Sequence, residues 1–108
     1  IKDAISTIAE EQETPVSIEV IASEKPVMLD AGIGGVIEKV CRKLNYSCRR
    51  MLSRAGHDAM YMSQITPSGL IFIPCKGGVS HNVDEYASED DIMNGVDVLA
   101  ATLLELAR

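Results

Sequence analysis

Apolar residues recur along this chain with two different periods, and the change of period divides it. Ile1, Ile5 and Ile8 fall at helical spacing, with Lys2, Asp3, Glu10 and Glu11 on the other side. They predict an amphipathic helix that stops at Thr14-Pro15, because the residue before a proline is pushed away from helical geometry. Nothing caps its start, since Ile1 already belongs to the pattern, so the sequence is expected to be cut from something longer. Val16, Ser17, Ile18, Glu19 and Val20 then alternate, which predicts a half-buried strand with one wet face. Ser23 to Pro26 is a polar break and the expected domain boundary. Asp30 can cap a second helix through about Leu44, with Ile33, Ile37, Val40, Cys41 and Leu44 as its stripe. Gly32, Gly34 and Gly35 weaken its first turn, and Asn45 suits a left-handed stop.

Beyond Asn45 the apolar positions cluster differently. Tyr46 to Leu52 reads as a strand, Ser53 to Gly56 as a turn, and His57 to Ile65 as a helix with Met60, Tyr61 and Met62 packing inward. Thr66-Pro67-Ser68-Gly69 is strong turn chemistry. Leu70 to Ile73 is continuously apolar, as in a strand covered on both faces inside a parallel or mixed sheet, and Pro74 ends it. The final helix is the clearest. Ser88 is its N-cap, and Glu89, Asp90 and Asp91 fill the first turn, where negative charge meets the helix dipole. Ile92, Val96, Leu99, Leu103 and Leu106 form a stripe wide enough to pack on a sheet. Strand 46–52, helix 57–65 and strand 70–75 thus make a β-α-β unit, whose carboxyl ends are where open α/β sheets bind ligands.

Composition narrows the function. A net charge of -6 argues against nucleic acid, which is bound by neutralising phosphates with Lys and Arg. The Lys39-Arg42-Lys43 and Arg49-Arg50 clusters read as a solvated helix face and a strand end. No apolar run approaches the roughly 20 residues of a membrane span. Three cysteines without C-x-x-C spacing suggest reduced thiols in a cytoplasmic protein. Cys75 reads as a small hydrophobe before it reads as a nucleophile.

The chemistry should sit in the two turns that hold both histidines. In Gly56-His57-Asp58, glycine admits a close approach of backbone to ligand, His57 can donate a hydrogen bond or a proton, and Asp58 can set its tautomer. Equally, Asp58 can cap the helix and His57 be an exposed loop residue. In Gly77-Gly78-Val79-Ser80-His81, followed by Asp84-Glu85-Tyr86, imidazole after a rigid strand is a candidate metal ligand. One His is not a site, because catalytic zinc takes about three protein ligands; Asp58 and Glu85 are candidate additions, and an incidental His on a glycine-rich turn is the alternative. The G-x-x-x-x-G-K-[ST] order of a P-loop is absent.

At these residues the sequence resembles a known family. S-R-A-G-H-D-A-M-Y-M, then P-S-G-L-I-F-I-P-C-K-G-G-V-S-H-N-V-D-E-Y, is similar to the carboxy-terminal part of the N-carbamoyl-L-amino-acid hydrolase, allantoate and ureidoglycolate amidohydrolase family. These are binuclear-metal, aminoacylase-like peptidases. The resemblance implies an α/β fold: a three-layer sheet-and-helix fragment of the catalytic domain over 27–108. Residues 1–26 would be the end, a helix plus an edge strand, of an inserted α+β lid and dimerisation domain. It implies that His81 is a metal ligand, that Gly56 and His57 contact substrate near the scissile carbonyl, and that His57, with Asp58 orienting the motif, holds the developing oxyanion. Arg54, Cys75 and Asn82-Val83 depart from common family residues, and Arg54 and Cys75 lean towards the ureidoglycolate or carbamoyl-amino-acid branches.

The expected parent is therefore a cytoplasmic, homodimeric, metal-dependent amidohydrolase. It would use two divalent ions, zinc or manganese, to cleave the C–N bond of small N-carbamoyl amino acids or ureido acids. The family's other ligand motifs, its general-base Glu and its substrate-clamping Arg are missing here. These residues alone are expected to bind no metal centre and to be inactive. A stand-alone binding or dimerisation domain that kept the fold and lost the chemistry is the alternative.

Overall fold

Four helices form at the places the periodicity predicts. In the computed structural model, which describes Ile1–Arg108, they are α1 (Lys2–Glu11), α2 (Ala31–Lys43), α3 (Asp58–Met62) and α4 (Glu89–Leu106), with one 3-10 turn at Lys76–Gly78. The Asp30 carboxylate starts α2 by accepting from the Ile33 N–H at 2.8 Å, satisfying one of the first-turn donors that no helix can satisfy internally. That cap outweighs the three glycines. At the other end Asn45 takes φ 59°. The Tyr46 N–H then reaches back to the Cys41 carbonyl at 2.9 Å, and the Asn45 N–H to that of Arg42 at 3.2 Å, a Schellman stop. Ser88 caps α4, accepting from the Asp91 N–H at 3.1 Å. Its hydroxyl donates in turn to the Asp91 carboxylate at 2.6 Å, so the pair closes through the side chains.

The two well-capped helices are the ones that pack, and theirs is the only substantial helix-to-helix packing. Val40, Cys41 and Val98 are buried between them, with Val36, Ile37, Tyr46, Ile71 and Ala101 around. Polar groups fasten the edges. Lys39 and Lys43 both donate to Glu105 of α4, and the Tyr46 hydroxyl donates to Asp97 at 3.1 Å. Arg50 grips Glu38 through two hydrogen bonds, at 2.7 and 3.2 Å. Most of the basic residues read as a solvated face are therefore paired within the chain.

The apolar segment Leu70–Ile73 lies across α2 and α4. The Asp30 N–H donates to the Ser68 carbonyl at 3.0 Å, tying its start to that of α2. Two glycines set the closeness: a Cβ on Gly69 would stand 2.4 Å from Ile33 Cγ2, and one on Gly95 2.5 Å from Ile73 Cγ2. The outer side of this layer is an open apolar groove of about 600 Å³ that includes Ile37, Leu70, Ile73, Val96, Leu99 and Leu103. Thr102, which also lines it, is buried with its hydroxyl unpartnered.

The sheet expected from the sequence is not formed within this chain. Val16–Val20, Tyr46–Leu52 and Leu70–Ile73 carry no ladder hydrogen bonds. The parallel β-α-β sheet and the edge strand of the lid are thus unpaired segments here. A strand exists only by pairing with a neighbour, and the alternation of side chains describes a segment's two faces without supplying that neighbour. The expected helix over 57–65 is regular only to Met62, with turns to Thr66, and Tyr61 and Met62 face solvent. Helix α1 buries none of its residues.

The molecule is correspondingly extended. Its radius of gyration is 20.0 Å, against about 13 Å for a compact domain of about 100 residues. Only four residues are buried.

Three outcomes follow. Gly95→Ala gains about 1 kcal/mol of helix propensity but overpacks against Ile73, which typically costs about 1–3 kcal/mol. A lowered urea midpoint is expected, recovered by adding Ile73→Ala; a raised midpoint would mean that the approach is not tight. Hydrogen bonds from Lys39 and then Lys43 hold the Glu105 carboxyl down at about 2, from an ordinary 4.5. A depressed folded-state value means the α2–α4 tie is present above about pH 4.5 and lost as pH falls towards about 2. Glu105→Gln should flatten the loss of stability across that window, and an unchanged acid profile would exclude the tie. With its groove open, the isolated chain should self-associate in sedimentation, and Leu103→Asp should weaken the association.

Candidate functional site

His57 closes the bend that follows Tyr46–Leu52 and opens α3, in extended geometry (φ -141°, ψ 148°). Its Nε2 lies 2.6 Å from Ser53 Oγ. That hydroxyl oxygen also accepts from the Ala55 N–H at 3.2 Å, so the bend is folded around the serine. Phe72 meets the imidazole edge-on, with centroids 5.4 Å apart and planes at 65°. One ring is thereby held by the bend, the helix start and the apolar segment. Asp58 occupies the first turn of α3, where its charge complements the helix dipole. It makes no hydrogen bond to the ring or to the helix end, and the group that contacts the imidazole is Ser53.

His81 sits on the second turn, after Gly77 (φ 66°) and Gly78 (φ 70°), whose left-handed backbone reverses the chain. His81 itself is left-handed, at φ 56°. The turn is braced from below: its backbone N–H donates to Glu85 Oε2 at 2.8 Å, and Asn82 Oδ1 accepts from the Asp84 N–H at 3.0 Å. The Lys76 N–H closes the loop on the Tyr86 carbonyl at 2.7 Å. Ser80 Oγ lies 3.1 Å from His81 Nδ1, which leaves Nε2 unengaged. A ligating imidazole ordinarily has its second nitrogen held in this manner.

The structure joins Ser53, His57 and Phe72 in one cluster, and Ser80, His81 and Glu85 in another. No hydrogen bond or ring contact links the two histidines, and no three His, Cys, Asp or Glu side chains converge as a metal site. Glu85 supports the His81 backbone. Cys75 is a free, half-buried thiol with no hydrogen bond to either imidazole. The donor set therefore suits one position of a divalent-metal site and does not complete it. Ser53 was not among the residues the sequence singled out. Its one signal is a hydroxyl four positions before a histidine, across a bend.

Set against known proteins, residues 4–105 match the model of peptidase family M20/M25/M40. The chain belongs to that family. Among curated relatives, it is 37% identical over 108 residues to ureidoglycolate hydrolase of Arabidopsis thaliana, covering 99% of this chain and 23% of that protein. It is 31% identical over 107 residues to allantoate amidohydrolase of Escherichia coli (strain K12), covering 99% and 26%. It is 30% identical over 105 residues to the N-carbamoyl-L-amino-acid amidohydrolase of Pseudomonas sp. (strain NS671), covering 97% and 25%. A crystal structure of AtUAH in complex with (S)-hydroxyglycine superposes with a TM-score of 0.92 at 37% identity, over 97% of this chain and 25% of that one. The chain thus spans about a quarter of the length of these relatives. Its extended shape is similar to that of the matching stretch within a larger protein.

Proposed function

We propose that these residues form one part of a metal-dependent amidohydrolase that cleaves the C–N bond of a ureido or N-carbamoyl acid. One observation carries the reading. Nearly the whole chain, both histidine turns included, aligns with three enzymes whose names specify ureidoglycolate, allantoate and N-carbamoyl amino acids. All three substrates present a carbonyl carbon flanked by nitrogen.

When bound, a pair of divalent ions, zinc or manganese, supplies an activated water and a Lewis acid for that carbonyl. His81 would be one ligand through Nε2, with Ser80 engaging Nδ1. The other ligands and the general base lie outside these residues. Gly56 lets substrate approach the backbone, and His57 donates a hydrogen bond to the oxygen that gains charge as the carbon becomes tetrahedral. Asp58 sets the start of α3 and so the position of His57. Residues 1–26 belong to a lid and dimerisation domain, and residues 27–108 to the catalytic domain, where Leu70–Ile73 is a strand of a three-layer α/β sheet. The lone exposure of α1 and the open groove beside α4 support that division. The parent works as a cytoplasmic homodimer.

The test is ammonia release from allantoate, ureidoglycolate and N-carbamoyl amino acids by the intact polypeptide loaded with zinc or manganese. Turnover of at least one is expected, and none by the 108-residue chain alone. Loss of one oxyanion donor in His57→Ala should lower kcat by about 10²–10³, while His81→Ala should lower bound metal per subunit. A metal-loaded polypeptide inert towards every ureido and carbamoyl acid would end this reading.

A further inference from the structure

We infer that Ser53 is a positioning residue that fixes the tautomer of His57, keeping the proton on Nδ1 and directing that N–H at the substrate. A serine hydroxyl has one hydrogen and two lone pairs. Ser53 Oγ already accepts from the Ala55 N–H at 3.2 Å. Its hydrogen and one lone pair remain, with His57 Nε2 at 2.6 Å and the Ala55 carbonyl at 3.4 Å. The carbonyl contact lies at the weak edge of hydrogen bonding, whereas the imidazole contact is shorter than the roughly 2.7–3.2 Å of an N–H donor and within the roughly 2.5–3.0 Å of an O–H donor. The hydrogen therefore goes to Nε2, which must present a lone pair, and a neutral ring with Nε2 unprotonated carries its hydrogen on Nδ1.

Phe72 also stands against the ring edge-on at 5.4 Å, a packing contact that favours this ring orientation. The chain holds a built-in contrast: Ser80 contacts His81 at Nδ1, so the two imidazoles are engaged from opposite sides. The consequence for chemistry rests on the proposed function. A neutral imidazole with hydrogen on Nδ1 is a donor, which is what a developing oxyanion needs, and a donor fixed beforehand costs no reorganisation during reaction. Asp58 does not perform this task, since it makes no hydrogen bond with the ring.

The experiment is long-range ¹⁵N–¹H correlation of the imidazoles in the full ¹⁵N-labelled chain, at about pH 8.5, where an ordinary imidazole is neutral. The chain has only two histidines, and His81→Gln assigns the signals. His57 is expected as the Nδ1–H form. Ser53→Ala should move it towards Nε2–H or an averaged ring, and Ser53→Thr, which keeps the hydroxyl, should restore the first pattern. An Nε2–H tautomer in the unsubstituted chain overturns the inference without any variant, as does a Ser53→Ala spectrum that does not change. Kinetics of the intact polypeptide separate this from the reading beneath it. If Ser53→Ala shifts the tautomer and lowers kcat, with little further loss on adding His57→Ala, both stand. If the tautomer shifts and kcat is unmoved, Ser53 positions His57 but His57 does not serve the substrate.

Discussion

Lys39 and Lys43 lie one turn apart on α2, and Glu105 of α4 meets both. That three-way tie borders the only place where two helices of this chain press together, around Val40, Cys41 and Val98. The remaining order depends on the pair. Leu70–Ile73 is drawn onto α2 and α4 through the space left by Gly69 and Gly95, and it carries Phe72 to the edge of His57. The other end of the same segment leads into the glycine turn that presents His81. The lysines are more than half exposed, so salt screens the tie, and the buried apolar contact is what persists.

The site is built on backbone geometry more than on burial. His57 is fixed by a serine in its own bend, and His81 by a left-handed residue whose N–H is held by Glu85. Both constructions are local, so each is complete within these residues even though the cavity they would border is not. This separates the positioning of the two imidazoles from the chemistry they would share.

An open groove of about 600 Å³, an unpartnered Thr102 hydroxyl and an uncovered α1 are what a part of a larger fold retains after its neighbours are taken away. The agreement with the AtUAH structure, at a TM-score of 0.92, describes the same arrangement in a chain of which this one covers 25%. Family membership is settled by the match over residues 4–105.

The sequence by itself determined what is local. Asp30, Asn45 and Ser88 announced helix ends because capping is a contact between residues three to five apart. The stripe of α2 announced the face that buries Val40 and Cys41, because helical periodicity is written in the order of residues. The two glycine-histidine turns were legible for the same reason. The stripe read for α4, Ile92 to Leu106, instead lines the open groove, and the face that α4 turns to α2 carries Val98 and Thr102. Only the tertiary structure decided which segments pair: Tyr46–Leu52 and Leu70–Ile73 look like neighbouring strands, yet no hydrogen bond joins them. Only it showed that Gly95 makes room for Ile73, that Glu105 pairs with two lysines of the solvated face, and that Ser53 meets the His57 ring. A partner brought near by folding leaves no spacing rule in the sequence, and a short bend can be closed by any of several polar side chains within it.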